Sequence, residues 1–474
     1  MGCCNRRCGL IAGAVFGAVV AILGGALIPL GKSVIEETVE KEVVIEPGTT
    51  AYDNFVSTGA KVYRQFWFFD VQNAQEVLQT GVSPVVVEKG PYTYRTRYLP
   101  KENITFDPNQ TVSFMLPMGA IFEPSMSVGP EEDKVTSLNL AVAVSELVHM
   151  VLEKLIKATN SSLFQSRTVN EMLWGYHDPL LKGTIGLFSP YNGTFDGKYN
   201  VFNGKDDISK VGMINKWQGK RTLNFWNDTY CDMINGTDAS SFPPFLDKKK
   251  PLYFFSSDIC RSVSASYEQS LNLKGIEVYR YTLQPNTMAS PTVNPDNHCF
   301  CKDKESTKNC TLAGVLDISA CKDDNPIYIS LAHFLHGSES LYDSVKGLNP
   351  SKEHHVTYLD VEPTTGFTLR FAKKIQVNMM YGPSKVITVF KKVKDYTIFP
   401  VVWMNETATL DDETADMLKK ELISRIEMLD TIQKALLGTG VVIFALCLIS
   451  YLSFVCELQS KVHLSCYGTS NLLI

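Results

Sequence analysis

The sequence has no excess of charge of either sign and no biased segment. Its 45 Lys and Arg nearly balance its 50 Asp and Glu, so the formal net charge is −5. This balance excludes the strongly basic surface that nucleic-acid binding requires, and we predict no nucleic-acid partner. No Pro-, Gly- or Ser-rich linker and no internal repeat divides the chain, which predicts one large folded region.

The sequence also lacks a catalytic signature. Gly337-Ser-Glu-Ser is not a nucleophile elbow, because Leu341 stands where the closing glycine would be. His354 and His355 are adjacent, and no His-Glu-x-x-His motif places two imidazoles on one helix face. We therefore predict no catalytic residue, no cofactor and a protein that is not an enzyme.

Charge is absent altogether from two runs of 22 residues, 9–30 and 435–456. At about 1.5 Å per residue, either run is long enough as a helix to cross a hydrocarbon core of roughly 30 Å. We predict two transmembrane helices, with residues 31–434 as one large loop and residues 1–8 and 457–474 as cytoplasmic tails. The first run is too long for a signal peptide and has no clear cleavage site, so we expect it to stay as an anchor.

Motifs for N-glycosylation concentrate in the loop. All eight Asn-x-Ser/Thr motifs lie between the two runs, which predicts a loop on the extracellular or lumenal side. The predicted acceptors are Asn103, Asn109, Asn160, Asn192, Asn227, Asn235, Asn309 and Asn405.

Six of the twelve cysteines lie in the loop, all between residues 231 and 321. An even, clustered set in an oxidising compartment predicts three disulfides, although six cysteines permit many pairings. Cys299 and Cys301 lack the usual spacing of zinc ligands, so we predict no metal site.

The other six cysteines lie beside or within the uncharged runs. Cytoplasmic thiols next to a membrane helix are typical S-acylation sites, and the alternative is that they are tolerated as small apolar residues. The predicted acylation sites are Cys3, Cys8, Cys456 and Cys466.

Strand patterns dominate the loop. Val62–Val71 combines aromatic and β-branched residues and predicts a strand. Residues 84–99 predict a hairpin turning at Gly90-Pro91, and residues 356–381 predict a second hairpin. Residues 386–404 add one or two further strands.

Helix patterns concentrate in residues 138–158, where apolar residues recur at spacings of three to four. These residues are Leu140, Val144, Leu147, Val151 and Leu155. A short helix is predicted after Thr168, which forms a capping box with Glu171. Three acidic residues from Asp411 predict a helix that leads into the second uncharged run. We predict an α+β fold, with an antiparallel β-rich body and a small inserted helical cluster.

The first uncharged run has small residues at every fourth position: Gly9, Gly13, Gly17, Ala21 and Gly25. This stripe predicts close helix pairing, either with the second run or with another copy of the chain as a homo-oligomer. The alternative is that glycine is simply common in membrane helices.

Several blocks of sequence resemble the class B scavenger receptor family, from the first residue to about residue 451. They are the opening Met-Gly-Cys with CGLIAGAV from Cys8, VYRQFW at 62–67, GPYTYR at 90–95, VFNGKD at 201–206, CDMINGTDASSFPPF at 231–245, FFSSDICRS at 254–262 and NPDNHCFC at 294–301.

This resemblance implies a twisted, β-barrel-like body with an apical helical bundle and an internal apolar tunnel. It also implies three disulfides: Cys231–Cys299, Cys260–Cys321 and Cys301–Cys310. The implied partners are long-chain fatty acids, oxidised lipoproteins and thrombospondin-type repeats. The implied location is the plasma membrane, with the Golgi and membrane rafts.

The chain departs from the family pattern in its apical region, which is shorter and lacks a closely spaced lysine pair after Lys157. We expect Lys154 and Lys157 to stand at the ligand entrance instead, and the alternative is that the ligand preference differs from that of the family. The acidic stretch from Glu102 to Asp107 is thinner than in the family, and the C-terminal tail does not end in a Cys-x-Cys with a basic cluster.

The predicted function is a cell-surface receptor that binds long-chain fatty acids and oxidised lipoproteins and takes up fatty acid. The alternatives are an adhesion or matrix receptor and a lysosomal cargo carrier.

Overall fold

The computed structural model describes residues 6–57, 60–143 and 149–468. It divides into two compact units, one formed by Met1–Lys41 with Glu413–Ile474 and the other by Glu42–Asp412. The first unit holds the two apolar terminal helices, and the second holds the sheets.

In the described chain, the helices of the second unit are short, and the first unit contains two long helices. In chain order they are α1 (Arg6–Val43), α2 (Thr50–Val56), α3 (Ala74–Thr80), α4 (Leu140–Ala143), α5 (His149–Thr159), α6 (Val169–Trp174), α7 (Glu339–Ser344), α8 (Lys352–His355), α9 (Asp412–Leu418) and α10 (Ser424–Gly468). A π-helical turn, Lys419–Ile423, connects α9 to α10, so the predicted helix after Asp411 does run into the second apolar segment.

Helices α1 and α10 are long and apolar enough to cross a membrane, over Arg7–Val43 and Ile426–Glu457. Their backbones approach closely, because a Cβ added at Gly17 would lie 2.5 Å from the amide nitrogen of Phe444. The side-chain amide of Gln433 also donates to the carbonyl of Leu27 at 3.0 Å. Small residues therefore let the two helices pair, as in other membrane helix pairs.

The strands of the described chain are β1 (Val62–Val71), β2 (Val86–Thr96), β3 (Glu102–Asp107), β4 (Thr111–Met118), β5 (Ala120–Phe122), β6 (Lys134–Leu138), β7 (Phe164–Thr168), β8 (Tyr176–Asp178), β9 (Gly183–Ile185), β10 (Thr194–Phe202), β11 (Ile214–Trp217), β12 (Leu252–Ser256), β13 (Arg261–Leu273), β14 (Ile276–Leu283), β15 (Val315–Asp317), β16 (Ile327–Ser330), β17 (Tyr358–Val361), β18 (Thr368–Tyr381) and β19 (Thr397–Thr409).

Eleven of these strands form one antiparallel sheet in the order β12-β13-β14-β17-β18-β19-β1-β2-β5, with β16 branching from β18 and β15 pairing with β16. A smaller sheet has the order β11-β10-β4-β3, and β6-β7 and β8-β9 form separate pairs. In the described chain the end strands β12 and β5 do not pair with each other. The large sheet is therefore open, and it is not a closed barrel.

Aromatic residues fill much of the core between the large sheet and α6. Phe66 of β1 is fully buried and packs edge-on against Tyr94 and Trp174. Burying one such side chain stabilises the fold by roughly 1.5–3 kcal/mol. The aromatic run that predicted β1 therefore also supplies part of the core.

Several local predictions are confirmed. Strand β1 has the predicted bounds, and β17 and β18 form the predicted second hairpin. At the start of α6, the hydroxyl of Thr168 accepts from the amide of Glu171, whose carboxylate accepts from the amide of Thr168. Residues 386–404 contribute one strand, since only β19 forms there.

The predicted hairpin at Gly90-Pro91 is wrong. Strand β2 continues through both residues, and its register with β1 shifts between Phe66 and Phe68. A β-bulge thus accommodates the proline. Gly90 is needed there, because a Cβ would lie 2.5 Å from the carbonyl oxygen of Phe66. A Gly-Pro pair marks a bulge as readily as a turn.

Helices α4 and α5 form in the stretch where the sequence pattern predicted a helix, so that prediction is confirmed for the described residues. Val144 and Leu147, two of its predicted core residues, lie outside the described residues. On α5 the buried positions are Leu152 and Ile156, whereas Val151 is 47% exposed. The apolar face of α5 therefore includes the predicted Leu155, which is partly buried and packs against the core, but excludes Val151.

Candidate functional site

A cavity of about 300 Å³ lies against the middle of the large sheet. Strands β16, β18 and β19 supply its apolar wall, and residues 184–189, Leu140 and Ile318 complete the lining. The lining side chains from the strands are Ile327, Ile329, Ile375, Val377, Met379 and Met404. Small-molecule sites span roughly 300–1,000 Å³, so this cavity suits one slender apolar group.

Two charged residues, Asp258 and Lys322, also line the cavity. Asp258 lies two residues before Cys260, and Lys322 directly follows Cys321. The disulfide Cys260–Cys321 joins these two segments. One covalent bond therefore fixes both charged parts of the lining, although they are far apart in the sequence.

The charge of Asp258 is compensated by an interior ionic cluster. Its carboxylate pairs with the ammonium of Lys373 and lies 3.5 Å from the guanidinium of Arg64. Arg64 in turn binds Glu406 of β19 at 2.7 Å. Burial would raise the pKa of Asp258, but Lys373 and Arg64 outweigh it and hold the pKa below its usual value.

Glu406 is the centre of this cluster and is 2% exposed. Besides Arg64, it binds Arg97 at 2.7 Å and lies 3.4 Å from Lys373. Burial opposes ionisation, yet the three cations keep the pKa of Glu406 well below its ordinary range. The cluster therefore places three cations against two buried carboxylates.

Lys322 differs from Asp258, since no ion pair among the described residues involves it. Its amide donates to the carbonyl of Ser319, and its own carbonyl accepts from the amide of Asn325. The main chain is thus fixed while the ammonium stays available. An apolar cavity with one uncompensated cation is suited to a long apolar molecule with an anionic head.

The predicted entrance lysines lie on α5 and do not line this cavity. The ammonium of Lys157 binds Glu153 at 2.8 Å, and that carboxylate also accepts from the amide of Thr388. These contacts with Thr388 and Lys157 lower the pKa of Glu153. Lys154 is exposed, and no ion pair in the described chain involves it.

The predicted glycosylation sites differ in accessibility. Six asparagines are exposed: Asn103, Asn109, Asn160, Asn192, Asn227 and Asn309. Asn235 and Asn405 are partly buried. Asn405 lies within β19, where its side-chain amide donates to Gln65 at 3.1 Å.

Three disulfides join the loop cysteines, as the cluster predicted. The structure pairs Cys231 with Cys299, Cys260 with Cys321 and Cys301 with Cys310, which are the pairs that the family resemblance implies. Asp228 and His298 converge on the first of these bonds, with His298 Nε2 3.0 Å from Asp228 Oδ2. Because the two sulfurs are bonded to each other, this group offers no thiolate ligand in the oxidised form.

Of the predicted acylation sites, Cys8 and Cys456 are exposed. Cys3 and the side chain of Cys466 lie outside the described part of the chain. Cys447, which was not predicted to be acylated, packs on α1, where a Cβ added at Gly13 would lie 2.6 Å from its sulfur.

Part of the predicted pairing stripe on α1 contacts α10 of the same chain. Gly13 and Gly17 face α10, but a Cβ added at Gly9 would meet nothing within 4 Å. At the other end, Gly24 approaches Leu437 closely, while Gly25 only reaches van der Waals contact with the same residue. At this end of α1, the glycine in close contact with α10 is therefore Gly24 and not the predicted Gly25.

Sequence reasoning missed Lys322 and Asp258. Each is an ordinary charged residue, and no spacing rule connects the two. The available signal was their position beside cysteines, since a disulfide brings the neighbours of its two cysteines together.

The comparisons with known proteins agree with this architecture. The CD36 family model matches residues 15–451. Lysosome membrane protein 2 of Rattus norvegicus is 36% identical over 411 residues, which cover 81% of this chain and 82% of the relative. The Homo sapiens protein of the same name is 35% identical over 427 residues, covering 86% and 87%. Scavenger receptor class B member 1 of Sus scrofa is 31% identical over 467 residues, covering 94% and 88%.

Two apolar terminal helices that flank a disulfide-bonded sheet domain define a two-span membrane protein of the scavenger receptor class. The chain belongs to the CD36 family. One group of relatives carries the name of a lysosomal membrane protein and the other that of a scavenger receptor, and neither name denotes an enzyme.

Proposed function

We propose that this chain is a cell-surface receptor of the platelet glycoprotein IV (fatty acid translocase) type. It binds long-chain fatty acids and oxidised lipoproteins and takes up fatty acid through the interior of its loop. Binding and passage, rather than catalysis, are its activity. The observation that carries this proposal is the apolar cavity with the uncompensated Lys322 on its lining.

The energetics favour an acyl ligand in this cavity. Each methylene group transferred from water to an apolar wall contributes about 0.8 kcal/mol. The carboxylate of the fatty acid pairs with the ammonium of Lys322, and a hydrogen bond to a charged group adds about 1.5–3 kcal/mol. Asp258 is already neutralised by Lys373, so it leaves the sign of the cavity positive.

Lys154 and Lys157 have a different role in this proposal. Both are exposed on α5, so they meet the anionic surface of an oxidised lipoprotein particle before any single lipid leaves it. Because such long-range attraction is screened by salt, their contribution falls as ionic strength rises.

The topology and modifications are part of the same proposal. Residues 31–434 form an extracellular loop, and the tails 1–8 and 457–474 lie in the cytoplasm. The loop carries N-glycans on its exposed sequons, and Cys8 and Cys456 are S-acylated. Helix α1 pairs with α10 within one chain, and its stripe also contributes to any homo-oligomer.

The test compares two variants of the full chain in lipid nanodiscs. We expect Lys322→Met to weaken palmitate binding about tenfold or more and to leave binding of the uncharged hexadecanol unchanged. We expect the double variant Lys154→Met, Lys157→Met to weaken binding of oxidised lipoprotein particles, most strongly at low salt, and to leave palmitate binding unchanged. Each variant is the control for the other.

Equal palmitate affinity in wild type and Lys322→Met would contradict the carboxylate site. Purified chain that carries no lipid by mass spectrometry and binds neither palmitate nor hexadecanol would favour the adhesion function instead. Measured binding to thrombospondin-type repeats would then support that alternative.

A second candidate function is a lysosomal cargo carrier. The observation in its favour is 36% identity with lysosome membrane protein 2, compared with 31% for scavenger receptor class B member 1. Imaging of the full chain at steady state separates the two candidates. Signal at the cell surface supports the receptor, and signal confined to lysosomes supports the carrier.

A further inference from the structure

Two buried histidines stack on the face of β19 that carries Trp403. The ring centroids of His333 and His355 are 4.7 Å apart, with 8° between the ring planes. The two residues are 4% and 6% exposed. Two imidazolium rings at this distance would repel each other, so the stacked arrangement requires that at least one ring is neutral.

The hydrogen bonds also fix which nitrogen carries the proton. The amide of Asn349 donates to Nδ1 of His333, and the amide of Ser351 donates to Nδ1 of His355, both at 3.0 Å. A backbone N–H can only donate, so each Nδ1 must offer a lone pair. Protonation of either Nδ1 turns an acceptor into a donor that faces another donor.

The other side of the pair is held by a carboxylate. His333 Nε2 lies 2.6 Å from Glu88 Oε2, and the indole N–H of Trp403 donates to the same oxygen at 2.7 Å. Burial opposes ionisation of Glu88, but these two donors lower its pKa. Glu88 therefore accepts from His333 in its neutral Nε2–H form.

The charged and titratable surroundings of the pair are few. Glu88 faces it from β2, Lys374 from β18 and His354 from α8. Strands β1 and β19 contribute only the uncharged rings of Phe69 and Trp403. Glu88 favours a charged imidazole, whereas Lys374 and the neighbouring histidines oppose it.

We propose that the His333–His355 pair is an acid-released latch that holds residues 347–355 on the large sheet. Protonation of His355 at Nδ1 breaks its bond to the amide of Ser351, and the segment separates from the sheet. A receptor that moves from a neutral surface to an acidic compartment would thus open this segment without any ligand.

The size of the effect follows from the two states of His355. In the closed state, burial and the neighbouring His333 lower the pKa of His355 to about 4. In the released segment the pKa returns to about 6.5. The equilibrium constant for opening therefore rises about 25-fold between pH 7.4 and pH 5 and levels off below about pH 4.

Hydrogen–deuterium exchange of the full chain in nanodiscs tests this proposal. We expect peptides across residues 345–357 to exchange faster at pH 5 than at pH 7.4, after correction for the intrinsic effect of pH. Peptides of the β10-β11 hairpin are the internal reference and should not change. Equal protection of residues 345–357 at the two pH values in wild type would overturn the proposal without any variant.

A matched pair of variants assigns the effect to the buried ring. In His355→Asn, the side-chain carbonyl can accept from Ser351 but cannot titrate, so we expect the acid response to be lost. His354→Asn changes the adjacent exposed histidine and should keep the full response. A response that disappears in His354→Asn but survives in His355→Asn would contradict the proposed latch.

Discussion

Strand β19 carries a buried polar cluster on each face, and the buried carboxylate of each cluster is stabilised in a different way. On one face, Glu406 binds Arg64 and Arg97 and lies 3.4 Å from Lys373, so three cations surround its carboxylate. On the other face, Glu88 is hydrogen-bonded to the indole of Trp403 and to His333, and the ring of His333 stacks on that of His355. Alternate residues of a strand point to opposite faces, so one strand can support both.

The two clusters differ in how their charges respond to pH. The two carboxylates that face Arg64, Arg97 and Lys373 keep their charges at any pH above about 4, because their pKa values are lowered. In the proposed latch, acid favours release of residues 347–355 between pH 7.4 and pH 5, because the pKa of His355 is about 4 in the closed state and returns to about 6.5 in the released segment. The ionic cluster therefore fixes structure, and the histidine cluster makes structure conditional.

The largest expected effect comes from removing the centre of the ionic cluster. Glu406→Gln leaves Arg64, Arg97 and Lys373 facing one another in a buried site. Breaking a buried ion pair by removing one partner costs roughly 3–5 kcal/mol. We expect a corresponding loss in the free energy of unfolding, measured by denaturant titration with tryptophan fluorescence.

The control for this change is Glu46→Gln. Glu46 binds Lys205 at 2.8 Å, but both side chains are about half exposed. Such a pair contributes less than about 1 kcal/mol. A loss for Glu406→Gln no larger than that of Glu46→Gln would show that the interior cluster is not stabilising.

The acid dependence of stability separates the two clusters. His355 has a lowered pKa of about 4 in the fold, so the unfolded chain binds more protons below pH 6.5. Stability is therefore full above pH 6.5 and falls by roughly 3 kcal/mol as the pH drops to 4. The lowered carboxyl pKa values of Asp258 and Glu406 add a further loss only at more acidic pH.

Thermal unfolding between pH 7.4 and pH 4 measures this slope. We expect His355→Asn to reduce stability at neutral pH but to flatten its dependence on pH above 4. An unchanged slope in this variant would mean that another group causes the acid sensitivity.

The smallest effect is expected at the edge of the ionic cluster. Arg97 binds Glu406 at 2.7 Å but is about one-third exposed, so water screens the pair. In Arg97→Met, Arg64 and Lys373 still neutralise the carboxylate. We expect a loss of about 1 kcal/mol in the free energy of unfolding. A loss as large as that of Glu406→Gln would mean that the cluster acts as a single unit.

Local patterns in the sequence predicted much of the fold. The aromatic run of β1, the capping box of Thr168 and the hairpin of β17 and β18 depend on neighbouring residues, and each is confirmed. Gly90-Pro91 failed because a bulge and a turn use the same residues, and only the pairing partner decides between them. The prediction of Val151 on the apolar face of α5 failed because burial depends on what the helix packs against.

The candidate site was harder to predict for the same reason. Lys154 and Lys157 are visible on a helix pattern, and even the pairing of Lys157 with Glu153 can be read from a spacing of four residues. The cavity, in contrast, brings together Asp258, Lys322 and strands that are distant in the sequence. The lowered pKa of His355 depends on its burial and on the stacked His333, which is 22 residues away in the sequence, and no residue pattern indicates either.

The bond between Cys260 and Cys321 gives the cavity a fixed electrical polarity. It acts as a strut between the segment of Asp258, whose charge is cancelled, and the segment of Lys322, whose charge is not. The aliphatic side chains from β16, β18 and β19 that line the cavity can change rotamer without moving Asp258 or Lys322. For the proposed fatty acid ligands, such a chamber would adjust its volume to chains of different length while keeping the carboxylate end at Lys322.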